Sequence, residues 1–342
     1  GLGAYVGNPN AHNLGALLFL KPLLKALGTQ KVFSASTVDQ RPKELSSAWM
    51  FGGGLSVPVP DVDRTDLLLI LGANPYASNG SLATAPDWPG RIEAMRERGG
   101  RLVVVDPRRS RTAEEADLHL AIRPGTDVFL LAALVTTLAQ EGRVAPGAAG
   151  EWVTGLDETI EALGSFTAEA VAPVVGIKAE EIRRLALDLS DAPAAAVYGR
   201  IGTTTVEFGT LASWLVDVVN LCTGNLDRPG GAMFTKAAVG ASNTRGAPRT
   251  GRALKTGRHH SRVRGLPETM GELPAACLAE EIDTPGEGQI RALVTVAGNP
   301  VLSTPNSARL DAGLADLDFY VAVDIYRNET TRHADVILPP PS

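Results

Sequence analysis

Asp106-Pro-Arg-Arg-Ser-Arg-Thr-Ala-Glu-Glu-Ala-Asp-Leu-His-Leu120 and Asp324-Ile-Tyr-Arg-Asn-Glu-Thr-Thr-Arg-His-Ala-Asp-Val-Ile-Leu338 are two copies of one pattern. Laid together without gaps, they agree at Asp106/Asp324, Arg109/Arg327, Thr112/Thr330, Ala116/Ala334, Asp117/Asp335 and Leu120/Leu338. Upstream of each lies an apolar run ending in a similar turn. The first reads Leu69-Ile-Leu-Gly72-Ala-Asn74-Pro75 and the second Val294-Thr-Val-Ala-Gly298-Asn299-Pro300. Internal similarity of this kind marks a duplicated strand–turn–strand unit.

The chemistry of the unit is readable. In a parallel sheet the strands deliver the chain to a carboxyl edge, where such folds bind ligands. Glycine lets a ligand approach the backbone, and Asn offers both a donor and an acceptor. A helix after the turn would aim its N-terminus at a phosphate. Asp106 and Asp324, at the next strand ends, can accept paired hydrogen bonds from a ribose or from a base edge such as guanine. A tight turn and a helix cap use the same residue types, but two copies with matched spacing argue for a ligand site in each.

Working outward, strand-like runs alternate with helix-length amphipathic stretches, the signature of parallel sheets covered by helices. Strands are expected at Val32–Ser34, Asp66–Leu71, Arg101–Val105 and Ala194–Tyr198. Helices are expected over about Pro89–Arg98, Val128–Glu141, Thr167–Val174, Lys178–Leu189 and Phe208–Leu221. Residues 240–265, rich in Gly, Thr and Arg, read as one long loop. The fold class is α/β: two Rossmann-like three-layer α/β/α domains with mostly parallel sheets. There is no Gly-x-Gly-x-x-Gly after a first strand and no Walker lysine loop. That disfavours a simple NAD enzyme and a P-loop ATPase, and leaves a nucleotide-sugar or dinucleotide enzyme of Rossmann type as a further reading.

The 342 residues are 44% hydrophobic and carry a net charge of −6, so nucleic acid is not the expected partner. No apolar run is long enough to span a bilayer. The only cysteines, Cys222 and Cys277, are far apart. Two cysteines fit a reducing, cytoplasmic compartment and are too few for an iron–sulfur cluster ligated within this chain. The start at Gly1-Leu2-Gly3 and the end at Leu338-Pro339-Pro340-Pro341-Ser342 read as cuts in a longer protein.

The ordered landmarks are Gly7-Asn8-Pro9, Gly72-Ala73-Asn74-Pro75, Val105-Asp106-Pro107-Arg108 with Thr112-Ala113, and Arg123-Pro124-Gly125-Thr126-Asp127. They continue with Thr223-Gly224-Asn225, Pro229-Gly230-Gly231, Gly298-Asn299-Pro300 and Ala334-Asp335-Val336-Ile337-Leu338-Pro339. In this order they resemble the molybdopterin oxidoreductases, the group of formate dehydrogenases, nitrate reductases and dimethyl sulfoxide reductase. The resemblance implies two molybdopterin guanine dinucleotides holding molybdenum or tungsten through dithiolene sulfurs. It implies a discontinuous first domain, residues 1–40 with 200–342, and an inserted domain, 41–199. Gly72, Asn74, Pro75, Asp106, Pro107, Arg108, Thr112, Gly125 and Asp127 are then expected to hold one dinucleotide. Gly199, Gly202, Gly298, Asn299 and Asp324 are expected to hold the other. Such enzymes also carry a [4Fe–4S] cluster and a closing β-rich domain. Those are expected in missing N- and C-terminal parts, together with an electron-transfer partner.

In formate dehydrogenases the metal-bound residue follows a segment resembling Ser36-Thr37-Val38-Asp39. Here residues 40–50 contain neither Cys nor His, so Ser46 or Ser47 is the candidate alkoxide ligand, a capping or surface serine being the alternative. The arginine that such enzymes place near the metal aligns with Lys236, which keeps the charge and loses the two-pronged grip on a carboxylate. Oxygen-atom or two-electron transfer on another small substrate fits as well as formate oxidation. The basic run Arg245, Arg249, Arg252, Lys255, Arg258, His259, His260, Arg262 and Arg264 suits either an anion-attracting funnel or a solvated loop. The alternative function is a scaffold subunit that keeps the fold without the metal.

Overall fold

The structure, a computed structural model, describes residues 1–235 and 254–341. Strands are β1 (Leu2–Val6), β2 (Val32–Ser34), β3 (Leu67–Leu71), β4 (Arg101–Val105), β5 (Leu118–Leu120), β6 (Ala195–Gly199), β7 (Ala292–Val296), β8 (Phe319–Val323) and β9 (Val336–Leu338). They form two all-parallel sheets, ordered β9-β8-β7-β1-β2 and β5-β4-β3-β6. Two short antiparallel pairs lie outside them, Pro58–Pro60 with Ala232–Phe234 and Thr256–His260 with Pro267–Thr269.

The chain divides into one unit of Gly1–Arg41 with Leu254–Ser342 and another of Pro42–Ala253. Residues 200–235, read from the sequence with the first domain, cluster with the unit that begins at Pro42. The reason is packing. β6 pairs along its whole length with β3, and the helix Gly209–Cys222 buries Ala212, Leu215, Val216 and Val219 in the same core as β3. Residues 200–235 therefore stay with the inserted unit.

In that second unit β3 reads Leu-Leu-Leu-Ile-Leu and every residue is buried, as a central parallel strand covered on both faces requires. Alternate side chains enter two separate cores. Leu67, Leu69, Leu71, Val103, Val105 and Val197 face the helices Asp127–Gln140, Ala168–Val175, Ala179–Asp191 and Gly209–Cys222. Leu68, Ile70, Leu102, Val104, Ala196 and Tyr198 face Trp88, Ile92 and Met95 of the helix Trp88–Glu97. The helix Ala179–Asp191 buries Ile182, Leu185, Ala186 and Leu189, the one-sided spacing of an amphipathic helix. Asp87 caps the helix that begins at Trp88, accepting from Gly90 N at 3.1 Å.

In the first unit the buried core gathers Tyr5, Phe33, Leu278, Ile282, Leu293, Leu310, Leu314 and Tyr320. Thr295 and Tyr320 satisfy each other there through a 2.9 Å hydroxyl bond. Val294, Val296, Val321 and Val323, on the opposite face of the sheet, are half-buried.

Candidate functional site

Each unit rebuilds the duplicated pattern with the same internal bonds. At the carboxyl end of β3, Gly72 adopts φ +56°; at the same point after β7, Ala297 adopts φ +50°. The glycine of the second copy, Gly298, thus sits one residue later than Gly72, so the two turns match by conformation and not letter for letter. Asn74 Oδ1 accepts the Thr112 hydroxyl at 2.7 Å, and Asn299 Oδ1 accepts the Thr330 hydroxyl at 2.6 Å. The same hydroxyls accept from Tyr76 N and from Val301 N, both at 3.1 Å. Asp106 Oδ1 takes the Arg108 N–H at 2.8 Å and Asp324 Oδ1 the Tyr326 N–H at 2.9 Å. Asp117 Oδ2 takes Leu102 N and Asp335 Oδ2 takes Tyr320 N, each at 2.7 Å.

These bonds sort the expected site residues. Thr112 is fully buried, and its hydroxyl and main-chain N–H are both directed at Asn74. It braces the turn and does not face outward. Pro75 is buried as the first residue of a one-turn helix, Pro75–Ser78, mirrored by Pro300–Ser303. A single turn carries too little aligned dipole to serve as the expected phosphate seat. What remains outward in the second unit is the Asn74 amide and the second oxygen of Asp106. Among the described residues, neither has a hydrogen-bond partner. Pro107 and Arg108 are exposed beside them.

Asp127 completes this edge. It starts the helix Asp127–Gln140, directly after Gly125 (φ +80°), whose missing Cβ would meet open space. Asp127 is 5% exposed and no cation pairs with it among the described residues. Burial, with the Asp106 charge adding, pushes its carboxyl up to about 6, and a main-chain N–H bond only partly offsets this. Neither Asp106 nor Asp127 forms an ion pair among the described residues, and the two carboxylates lie near each other. Such a donor-hungry arrangement fits a ligand edge rich in N–H groups.

Gly199 and Gly202 lie in this same unit, not with Gly298, Asn299 and Asp324 as expected. Gly202 packs on Gly72 so closely that a Cβ on Gly202 would stand 2.6 Å from Gly72 Cα. The first unit's counterpart is Gly7, where a Cβ would meet Ala297 O at 1.8 Å. Gly7 went unnamed among the expected site glycines, although its neighbours Asn8 and Pro9 stood among the landmarks. His119 was also missed; its Nε2 lies 2.9 Å from Asp106 O and steadies that loop.

Ser46 and Ser47 are 1% and 0% exposed in the helix Arg41–Phe51. Ser46 Oγ donates to Lys43 O at 3.0 Å; Ser47 Oγ reaches Gly53 O at 2.9 Å and Ser56 O at 2.6 Å. Both hydroxyls thus serve the backbone, and a ligand role for either requires breaking those bonds. Among the described residues no group of three or more His, Cys, Asp or Glu side chains is placed to hold a metal ion. Lys236, Arg245, Arg249 and Arg252 lie outside the described residues. The rest of the basic run is not a free funnel: Thr256–His260 is a strand, Arg258 pairs with Glu268, and Arg264 pairs with Glu280 at 2.6 Å.

A cavity of about 860 Å³ lined by Trp49, Phe51, Trp152 and Trp214 also belongs to the second unit. It includes Gly224 and Leu226, which flank Asn225, and Asn225 Oδ1 accepts from Ala195 N at the start of β6. The cavity thus lies at the amino edge of the sheet, away from Asp106 and Asp127. No helix among the described residues is long and apolar enough to cross a membrane.

Two parallel α/β units, each with a braced turn and an outward carboxylate at its carboxyl edge, define a protein of the nucleotide-cofactor-binding class. Acetylene hydratase from Pelobacter acetylenicus shares the fold, with a TM-score of 0.76 over 99% of this chain and 49% of that one at 18% identity. The molybdopterin oxidoreductase family model matches residues 6–341, and the chain belongs to that family. Among curated relatives, the alpha subunit of F420-dependent formate dehydrogenase 2 from Methanococcus maripaludis is 29% identical, over 94% of this chain and 47% of its own length. Formate dehydrogenase H of Escherichia coli is 25% identical, over 92% of this chain and 44% of its own. The assimilatory nitrate reductase catalytic subunit of Bacillus subtilis is 27% identical, over 84% and 41%. The chain thus spans about half the length of the curated relatives it matches.

Proposed function

We propose that this chain is the dinucleotide-binding core of a molybdopterin-dependent oxidoreductase, with one half-site in each unit for one molybdopterin guanine dinucleotide. The observation that carries the reading is the duplicated bracing: the same Asn–Thr, Asp–main-chain and strand-tie bonds recur in both units. Two copies of a bulky cofactor give one chain a reason to keep two copies of one grip.

The residues present fit that group. Asp106 and Asp127, near each other and without an ion pair among the described residues, suit the N1–H and exocyclic N–H groups of guanine. Gly125 leaves room for a ligand to approach the backbone, and the Asn74 amide offers a donor on the same edge. In the first unit Asn299 and Asp324 hold the matching positions. When bound, the cofactor supplies a molybdenum or tungsten centre for two-electron or oxygen-atom transfer on a small substrate such as formate or nitrate. This chain's part is to hold the guanine ends and fix their register. An iron–sulfur cluster and an electron-accepting partner belong to this reading as components outside the chain.

Metal analysis and pterin fluorescence of the purified full-length protein test it. Molybdenum or tungsten together with pterin is the expected result; the absence of all three overturns the proposal. A second reading, a scaffold that keeps the fold without a metal, is favoured by one observation: Ser46 and Ser47 are committed to backbone carbonyls in a segment lacking Cys and His. It predicts pterin-free, metal-free protein in the same assay.

A further inference from the structure

The two half-sites share their bracing but differ in charge at one matched position. Glu329 in the first unit corresponds to Arg111 in the second, each immediately preceding the threonine that holds the turn asparagine. Glu329 Oε2 accepts the Asn299 Nδ2 bond at 2.8 Å. The Asn74 amide has no such partner among the described residues, and Arg111 stands exposed where Glu329 stands in the other copy. Around it, Arg108 and Arg109 are exposed as well, and none of the three arginines forms an ion pair among the described residues. The matching positions of the first unit are Tyr326, Arg327 and Glu329. One turn thus presents three cations and an available amide. Its copy presents one cation, one anion and an amide already engaged by that anion.

We infer that Glu329 is a specificity-determining residue that makes the first unit the weaker of two sites for a phosphate-bearing guanine ligand, by occupying the Asn299 amide and repelling the phosphate. The inference rests on the reading of both half-sites as guanine dinucleotide sites. An anionic ligand entering the first unit meets the Glu329 carboxylate already holding one N–H of the Asn299 amide, whereas in the second unit it meets Arg111 instead. The unit holding Asp106 then fills first.

The test is calorimetric titration of GDP into the complete, cofactor-free chain at low salt, with ADP as control. The wild-type chain is expected to show a tighter and a weaker site, the tighter one lost in Asp106→Asn. Glu329→Arg should tighten the weaker site by about tenfold and Glu329→Gln by about threefold, as reversing or removing one nearby charge implies. Arg111→Glu should loosen the tighter site by a similar factor, and these differences should shrink at about 0.5 M salt. Glu329 is exposed, and matching thermal melting curves for the variants exclude a folding effect. If both Glu329 variants leave the weaker site within about twofold of wild type while Asp106→Asn still removes the tighter one, the inference fails and the two-site reading stands. If GDP binds no better than ADP, or Asp106→Asn changes nothing, the two-site reading fails and the inference with it.

Discussion

Replacing Asp127 by Asn should make the cofactor-free chain more stable, an unusual outcome for a buried polar residue at the start of a helix. Burial and the nearby Asp106 raise the Asp127 carboxyl from 3.8 to about 6. The folded chain therefore holds this proton more tightly than the unfolded chain does. The ionised form costs stability above the folded value, and the cost fades as pH falls from about 6 towards 3.8. Two pH units at ~1.4 kcal/mol each come to about 3 kcal/mol. Asn is a poorer acceptor for the main-chain N–H at the helix start, which leaves a net gain of about 2 kcal/mol. The assay is favourable because Trp49, Trp88, Trp152 and Trp214 all lie in the second unit. Tryptophan fluorescence in urea thus follows the unit that contains Asp127. Asp127→Asn should raise that unit's unfolding free energy by about 2 kcal/mol near pH 7.5 and by little near pH 4. Saturating guanine nucleotide should reverse the order, because only the wild-type site gains ligand stabilisation. A variant less stable than wild type at pH 7.5, or a difference that does not change with pH, would refute the argument that two unpaired carboxylates are held there against the fold's own stability.

Thr112→Val removes the hydroxyl that both braces Asn74 and receives Tyr76 N; it should cost the second unit about 2 kcal/mol in the same urea assay. Gly202→Ala places a Cβ 2.6 Å from Gly72 Cα and should cost about 1–3 kcal/mol by forcing the two strand ends apart, with GDP affinity falling in parallel. Ser47→Ala should cost about 1 kcal/mol yet leave the molybdenum or tungsten content of the full-length enzyme unchanged by elemental analysis; a loss of metal would return Ser47 to the ligand role. Lys43→Met strands Asp217, which is buried and paired with Lys43 at 2.7 Å, at a cost of about 3–5 kcal/mol. The double variant with Asp217→Leu should recover most of it.

The duplicated unit was legible in the sequence because its bracing residues recur in the same order, Asn74 before Thr112 and Asn299 before Thr330. A residue that must bond a partner leaves the same mark in each copy. Ala297 shows what the letters hid: the left-handed turn position is fixed by conformation, so Ala297 and not Gly298 takes the place of Gly72. That residues 200–235 cluster with the inserted unit was not legible, because the helix Gly209–Cys222 packs into the core of β3 through contacts distant in sequence. The serines' bonding was hidden for a related reason, since a hydroxyl's direction depends on which carbonyls lie within reach, and Gly53 and Ser56 lie on the loop beyond the helix.

Repetition alone therefore cannot separate bracing from binding, because both are duplicated. The distinction lies in valence left over after folding. Thr112, Thr330, Asp117 and Asp335 commit their bracing oxygens within their own unit. Asp106 and Asn74 commit one atom inward and keep one outward, and Asp127 keeps a raised carboxyl that no described cation answers. These residues have something to give a ligand, as has the second oxygen of Asp324 in the first unit, and Asp106, Asn74 and Asp127 belong to the unit where the arginines also cluster. The asymmetry between the copies follows from the same criterion, since Glu329 holds one N–H of the Asn299 amide that the other copy leaves available. A family member loaded with both dinucleotides should then release the one in the first unit sooner on dilution, and equal release rates would argue that leftover valence does not govern the grip.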